Sequence, residues 1–340
     1  MQKVLWGSFA LAPVAVVLRV LDVQPIVLFP AGVVALVPLA WLVGEATEQT
    51  SKHTGAALGA LLNATFGNAT ELFIAFFAIA DAEFEVVRGS LSGSVVSNLL
   101  LVLGLTYFFG GRKRLGRGSL LLSVALAFGA ALLFLVPALG YWSGASRQHA
   151  DPTRIFPVCA LLLVGYAGAM AYQIRLDVRE EQGEQESEWS LPVSLVLLAL
   201  GAAATGALSE IVTSSIDRFA SSIHLSVFFV SVVFVALAGN AAEHGSAILV
   251  AARGQVELGV EIALRSGAQV AAFLIPAVAM LSWVLEPLPL AFRPVELAAL
   301  IASPLLAGLV VLNGRSGRVR GAVLAGAYGG AVAAFFVFAG

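Results

Sequence analysis

The 340 residues are 59% hydrophobic and 12% charged, with a formal net charge of −2. A soluble domain carries roughly twice that charge fraction, so the composition excludes a soluble enzyme or binding module and describes a chain whose partner is the lipid bilayer. The charge balance excludes nucleic acid as a partner, and the lone Cys159 forms no internal disulfide.

Apolar runs long enough to cross a bilayer predict helices at 4–22, 25–44, 57–80, 86–109, 118–140, 154–176, 191–215, 223–251, 256–284, 293–312 and 317–338. The expected fold is therefore an all-α integral membrane protein of about eleven transmembrane helices. Lys3 precedes an apolar core as in a secretory leader, but no small-residue cleavage site follows, so the first run is read as a helix. Residues 45–56 are polar and too short to span, and are expected to lie along the interface as a brief helix. Between spans six and seven runs an acidic stretch, Asp177, Glu180, Glu181, Glu184, Glu186 and Glu188. It reads as a solvated linker, with cation sensing as the alternative.

Orientation follows from the positive charges. With the N-terminus and every second connection on one side, that side holds thirteen Lys and Arg residues and the other six, the cluster Arg112, Lys113, Arg114 and Arg117 carrying most of the bias. Positive residues mark the cytoplasmic side, which gives a cytoplasmic N-terminus and an external C-terminus in a multi-pass protein of the cell inner or plasma membrane.

One phrase occurs twice, Gly67-Asn68-Ala69-Thr70-Glu71 and Gly239-Asn240-Ala241-Ala242-Glu243. A shift of 172 residues lays Gly67 on Gly239, Asn68 on Asn240, Glu71 on Glu243, Ser94 on Ser266 and Glu45 on Asp217 without a gap. Such agreement indicates duplication: an N-terminal helix at 1–24, a first five-helix repeat at 25–176, an acidic cytoplasmic linker at 177–190 and a second five-helix repeat at 191–340. Five spans per half make the repeats inverted, which places matched residues about a twofold axis near the midplane.

Each phrase sets an amide and a carboxylate three residues apart, on one helix face, inside an apolar span. Charged groups there are costly and are read as functional. Ser94 and Asn98 share a face of span four, and Ser266 and Gln269 share one of span nine. Together with Asn68, Glu71, Asn240 and Glu243 they supply carboxylate, amide and hydroxyl oxygens without a Cys or His cluster, a set suited to a hard cation such as calcium. Gly67 and Gly239 are expected to allow local unwinding, so that backbone carbonyls join the coordination.

The runs Asn63-Ala-Thr-Phe-Gly-Asn-Ala-Thr-Glu71, Gly93-Ser-Val-Val-Ser-Asn-Leu-Leu-Leu-Val-Leu-Gly104 and Gly239-Asn-Ala-Ala-Glu-His244 resemble the signatures of the calcium/proton exchanger (CAX) family of the cation/calcium antiporter superfamily. The resemblance spans nearly the whole chain. It implies that Glu71 and Glu243 form the central site and bind Ca2+ or protons in turn, with Asn68, Asn98, Asn240 and Gln269 as supporting ligands. The sodium/calcium branch usually has proline before the repeat glutamate, where this chain has Thr70 and Ala242, which favours proton coupling. One motif departs from the family: Gly-Ser-Ser-x-Gln is replaced by Arg265-Ser266-Gly267-Ala268-Gln269, which removes a hydroxyl and adds a positive charge near the expected site. Snorkelling of Arg265 to the cytoplasmic interface would leave the site unharmed.

The chemistry stands without the family. Two carboxylates close together in a poorly hydrated site are costly to ionise together, so at least one holds a proton when no metal is bound. A divalent cation reverses the preference, and competition at one site couples opposed fluxes. No cofactor is implied, since Ca2+ and H+ are substrates, and a homo-oligomer is left open. Glu45, Glu210 and Asp217 are candidate entrances or relays, with capping or solvation as the ordinary alternative for Asp217. His244 is a candidate proton relay or a packing residue. Asp81, Glu83, Glu85, Glu257 and Glu261 read as solvated charges near span ends. Three other readings remain: a sodium-coupled or broader monovalent cation/proton antiporter, a membrane-embedded metal-dependent enzyme and a passive channel. The enzyme lacks His-Glu-x-x-His, Asp-rich diphosphate and Gly-x-Gly-Asp motifs.

Overall fold

The computed structural model describes residues 9–116, 118–142, 151–180 and 187–338. Among these the chain is helical, with one isolated β-bridge between Arg114 and Arg315. The helices are α1 (Leu11–Val20), α2 (Pro25–Thr54), α3 (Ala56–Phe66), α4 (Ala69–Ala80), α5 (Phe84–Gly110), α6 (Gly118–Leu139) and α7 (Pro152–Glu180). They continue with α8 (Leu191–Ser222), α9 (Val227–Gly239), α10 (Ala241–Ala252), α11 (Val256–Val284), α12 (Pro294–Leu312) and α13 (Arg318–Phe338). Residues 4–8 of the first expected helix, Arg117 and residues 181–186 of the acidic linker lie outside the described residues.

Eight of these helices are long and apolar enough to cross a membrane alone, and ten spans result if α3 with α4 and α9 with α10 each count as one. The first expected span is represented by α1, an apolar helix of ten residues.

Two boundaries differ from the sequence expectation. The polar stretch 45–54 is not an interfacial helix but the second part of α2, which runs unbroken to Thr54. Thr47, Thr50 and Ser51 donate their hydroxyls to carbonyls one turn back at 2.6, 2.7 and 2.8 Å, so the polar side chains are satisfied inside the helix. The helix stops at Gly55, whose φ of 78° is a conformation glycine adopts without strain. Likewise α8 continues past residue 215 to Ser222, so Asp217 lies within a helix.

The centre of the molecule is the crossing of α5 and α11. In α5 83% of the apolar window is buried and in α11 67%, against 17% for α13, which packs outside α5. The long helices α2 and α8 pack against each other, joined by stacking of Phe29 on Phe219 at 4.4 Å. Each central helix contains a wider π-helical turn, Ser97–Val102 in α5 and Val270–Leu274 in α11. Such turns often sit at functional sites. The backbone of α9 approaches α5 so closely that a Cβ on Gly93 would fall 2.2 Å from the Val232 carbonyl oxygen.

Candidate cation site

Both copies of the repeated phrase lie at a helix break. The axis bends by 52° between α3 and α4 and by 60° between α9 and α10. The residue that leaves helical geometry is the asparagine, with φ −112° and ψ 26° at Asn68 and φ −96° and ψ 9° at Asn240. Gly67 keeps helical angles of −59° and −26°, so the expected unwinding at the glycines is instead a one-residue break after them. Each asparagine amide donates back to a carbonyl one turn earlier: Asn68 Nδ2 to Ala64 O at 3.1 Å and Asn240 Nδ2 to Ala236 O at 3.0 Å.

The break gives each glutamate a position in the first turn of a new helix, Glu71 in α4 and Glu243 in α10. The partial positive charge of a helix N-terminus favours a carboxylate there. Glu71 is 2% exposed, and its Oε1 is buried without a hydrogen-bond partner. Its carboxylate lies over Gly239, where an added Cβ would meet Oε1 at 3.2 Å and Cδ at 3.3 Å. Glycine at 239 thus makes room for the carboxylate of the other half.

Three elements complete the arrangement. Ser94 Oγ, on α5, accepts from Asn240 Nδ2 at 2.8 Å. Asn98 donates to Ser94 O at 2.9 Å and keeps its Oδ1 buried and unpartnered. On α11, Ser266 donates to the Glu243 carboxylate, while Gln269 Oε1 accepts from Tyr166 OH of α7 at 3.2 Å. The unpartnered oxygens of Glu71 and Asn98 are acceptors that a bound cation would satisfy. Among the described residues no three His, Cys, Asp or Glu side chains are grouped so as to hold a metal ion, and at this site the oxygens come from a carboxylate pair with amides and hydroxyls.

A cavity of about 550 Å³ leads to this region, lined by Glu45, Glu48, Asn63, Glu243, Arg265 and Ser266 among others. Glu71 is not in its wall; Gly67 and Thr70 are. The second-tier candidates divide accordingly. Glu45 lines the cavity and accepts from Gln49 at 2.9 Å. Glu210 is exposed beside Arg19 at 3.9 Å, and Asp217 is an exposed neighbour of the 81–85 turn, so neither faces the cavity. His244 is buried with Nε2 unpartnered and also lies off the cavity wall. At the 81–85 turn, partial burial and then the neighbouring Asp217, Asp81 and Glu85 push the Glu83 carboxyl above its usual range.

Some participants had weak or no sequence signals. Tyr166 reaches Gln269 across 103 positions, a contact no local pattern announces. Glu261 is not a solvated end charge but a half-buried partner of Arg265, and Glu85 pairs with Arg293 and Arg88. Arg265 points one turn back along α11 to Glu261.

Comparison with known proteins shows what the chain is similar to. The model of the sodium/calcium exchanger protein family matches residues 24–175 and 193–337, one segment per half. The vacuolar cation/proton exchanger 1a of Oryza sativa subsp. japonica is 33% identical, over 97% of this chain and 79% of the relative. The Ca(2+)/H(+) antiporter ChaA of Bacillus subtilis is 32% identical over 93% of both chains. The solved structure of native YfkE superposes with a TM-score of 0.83 at 29% identity, covering 99% of this chain and all of that one. A family model matched across both halves, together with relatives of this identity and coverage, makes the chain a member of the sodium/calcium exchanger family, on its calcium/proton exchanger branch.

Proposed function

We propose that this protein exchanges Ca2+ for H+ across its membrane by alternating access, with Glu71 and Glu243 as the shared site for both ions. The observation that carries the reading is the carboxylate pair itself: two glutamates in the first turns of two half-helices, one buried against Gly239 and one lining the cavity. With Glu71 sealed from water, the pair is costly to ionise fully unless a cation is present. Ca2+ neutralises both charges and displaces protons; protons in turn displace Ca2+. Asn68, Asn98, Asn240, Gln269, Ser94 and Ser266 supply the remaining oxygens, a hard-cation set. The relatives named for Ca2+/H+ antiport and cation/proton exchange support this choice of ions.

The two halves, 25–176 and 191–340, act as inverted five-helix repeats, a reading supported by the 172-residue register and by the matched breaks at Asn68 and Asn240. With the N-terminus cytoplasmic, as the positive charges favour, the Glu45 and Glu48 cavity opens toward the cytosol and the opposite face is closed by α9 on α5. The cell inner or plasma membrane is the place for such an exporter.

Flux in proteoliposomes tests the function. An inside-acid pH gradient drives Ca2+ inward, and a sodium gradient at clamped pH does not. Uptake driven by sodium alone overturns the coupling ion.

A further inference from the structure

The cavity that leads to Glu243 contains a fixed positive charge. Ile262, Arg265, Ser266 and Gln269 share the face of α11 that lines it together with Glu243. The next residue after Arg265, Ser266, touches the Glu243 carboxylate. An arginine stays charged at any working pH, and its planar fork suits a carboxylate. Left free, this guanidinium is a tethered cation beside a cation site. In the structure it is turned away: Nη2 donates to Glu261 Oε1 at 2.8 Å, one turn nearer the start of α11, while Nε is buried without a partner. The pair is half-buried, with side-chain exposures of 37% for Arg265 and 33% for Glu261, so solvent screens it only partly.

The register makes the pair distinctive. Counted 172 residues back, Glu261 and Arg265 fall on Gly89 and Gly93, where the backbone of α9 lies directly against α5. The charged pair thus occurs only in the half whose helix faces the cavity.

We propose that Glu261 is a positioning residue for transport: it holds the Arg265 guanidinium away from Glu243, so that the chain's own cation does not occupy the site in place of the transported one. The proposal rests on the exchanger reading for the nature of that cation.

The test is the cation concentration that half-maximally stabilises the detergent-solubilised full chain against heat, alongside KM and kcat from proteoliposome uptake. Glu261→Gln frees Arg265 and raises the half-maximal Ca2+ concentration and KM by about tenfold, a modest fraction of what two close charges exchange in a partly shielded site. Glu261→Gln with Arg265→Gln restores both to within about twofold of the parent, and Glu261→Asp, which keeps the charge, stays near it. A purely structural role for Glu261 predicts that the double variant is as impaired as the single one. That result, or an unchanged Glu261→Gln, overturns the proposal while leaving the exchange function standing. If Glu261→Gln does not fold, Arg265→Gln decides alone: cation binding within about twofold of the parent, as for a guanidinium already held off the site, supports the proposal, and a larger change in either direction overturns it. A parent chain stabilised by Na+ and not Ca2+ sinks the assigned ion, and the same series is then read with Na+. Stabilisation by neither overturns both.

Discussion

Ser266 donates its hydroxyl to the Glu243 carboxylate, yet its register mate Ser94 makes no such bond to Glu71 and instead accepts from Asn240 at 2.8 Å. The difference matches the surroundings. Glu243 lines the cavity, whereas Glu71 is 2% exposed behind Gly239. Two positions equivalent by sequence are therefore in unlike environments, as one accessible and one sealed half of an alternating site would be.

Replacing either glutamate by glutamine keeps its size and removes its charge. A cation held by one carboxylate in place of two loses half of its neutralising charge. Glu71→Gln and Glu243→Gln should each reduce pH-driven Ca2+ uptake to the level of empty liposomes, while membrane insertion and expression stay normal. Normal transport by either variant would remove that residue from the site.

Proton competition sets a sign. Where the pair carries protons, Ca2+ must displace them, so the apparent Ca2+ affinity rises with pH, by up to about tenfold per pH unit for each proton released. At pH values high enough to ionise the pair in the absence of metal the slope vanishes. Half-maximal Ca2+ concentrations measured from pH 5.5 to 8.5, as about half-unit steps, test this. An affinity that is flat across the range, or falls with rising pH, is incompatible with a shared site.

Much of the arrangement was legible because the repeated phrase has a local physical cause. An asparagine and a glutamate three positions apart in an apolar span have few reasons to exist, and both copies lie at bends, of 52° and 60°. The polar part of α2 was not legible as a span, because hydropathy counts Thr47, Thr50 and Ser51 as water-seeking although each bonds its own helix. Glu261 was read as a solvated charge for a similar reason: its partner Arg265 is on the same helix, but the cavity that makes the pair consequential is formed by α2, α3, α7, α10 and α11 together. Glu210 lies inside an apolar run of the sequence, and its exposure on the outside of α8 depends on which neighbours pack there.

The closed face gives a stability prediction. At Gly93 an added methyl would fall 2.2 Å from the Val232 carbonyl oxygen, a backbone atom with no freedom to swing aside. Gly93→Ala should destabilise by about 1–3 kcal/mol, the usual cost of overpacking, seen as a lower melting temperature in detergent. Gly129→Ala on α6 serves as the control, because its methyl meets nothing within 4 Å. That change should be neutral or stabilise by up to about 1 kcal/mol through helix propensity. Equal effects at the two positions would contradict the close approach of α9 to α5.

The 81–85 turn gives a prediction that separates stability from transport. Glu83 sits beside Asp217, Asp81 and Glu85, and partial burial together with these charges raises its carboxyl above the usual carboxylate range. A raised carboxyl favours the folded state while protonated, so its contribution is complete below the unfolded value and is lost as pH rises through the folded one. Glu83→Gln mimics the protonated form. It should therefore raise the melting temperature at pH 7 and leave it unchanged near pH 4, with the gain limited because the side chain is only partly buried. Ca2+ uptake should not change, since Glu83 is absent from the cavity wall. A variant less stable at pH 7 than the parent would show that Glu83 is paired rather than repelled, and a loss of uptake would place the turn on the ion path.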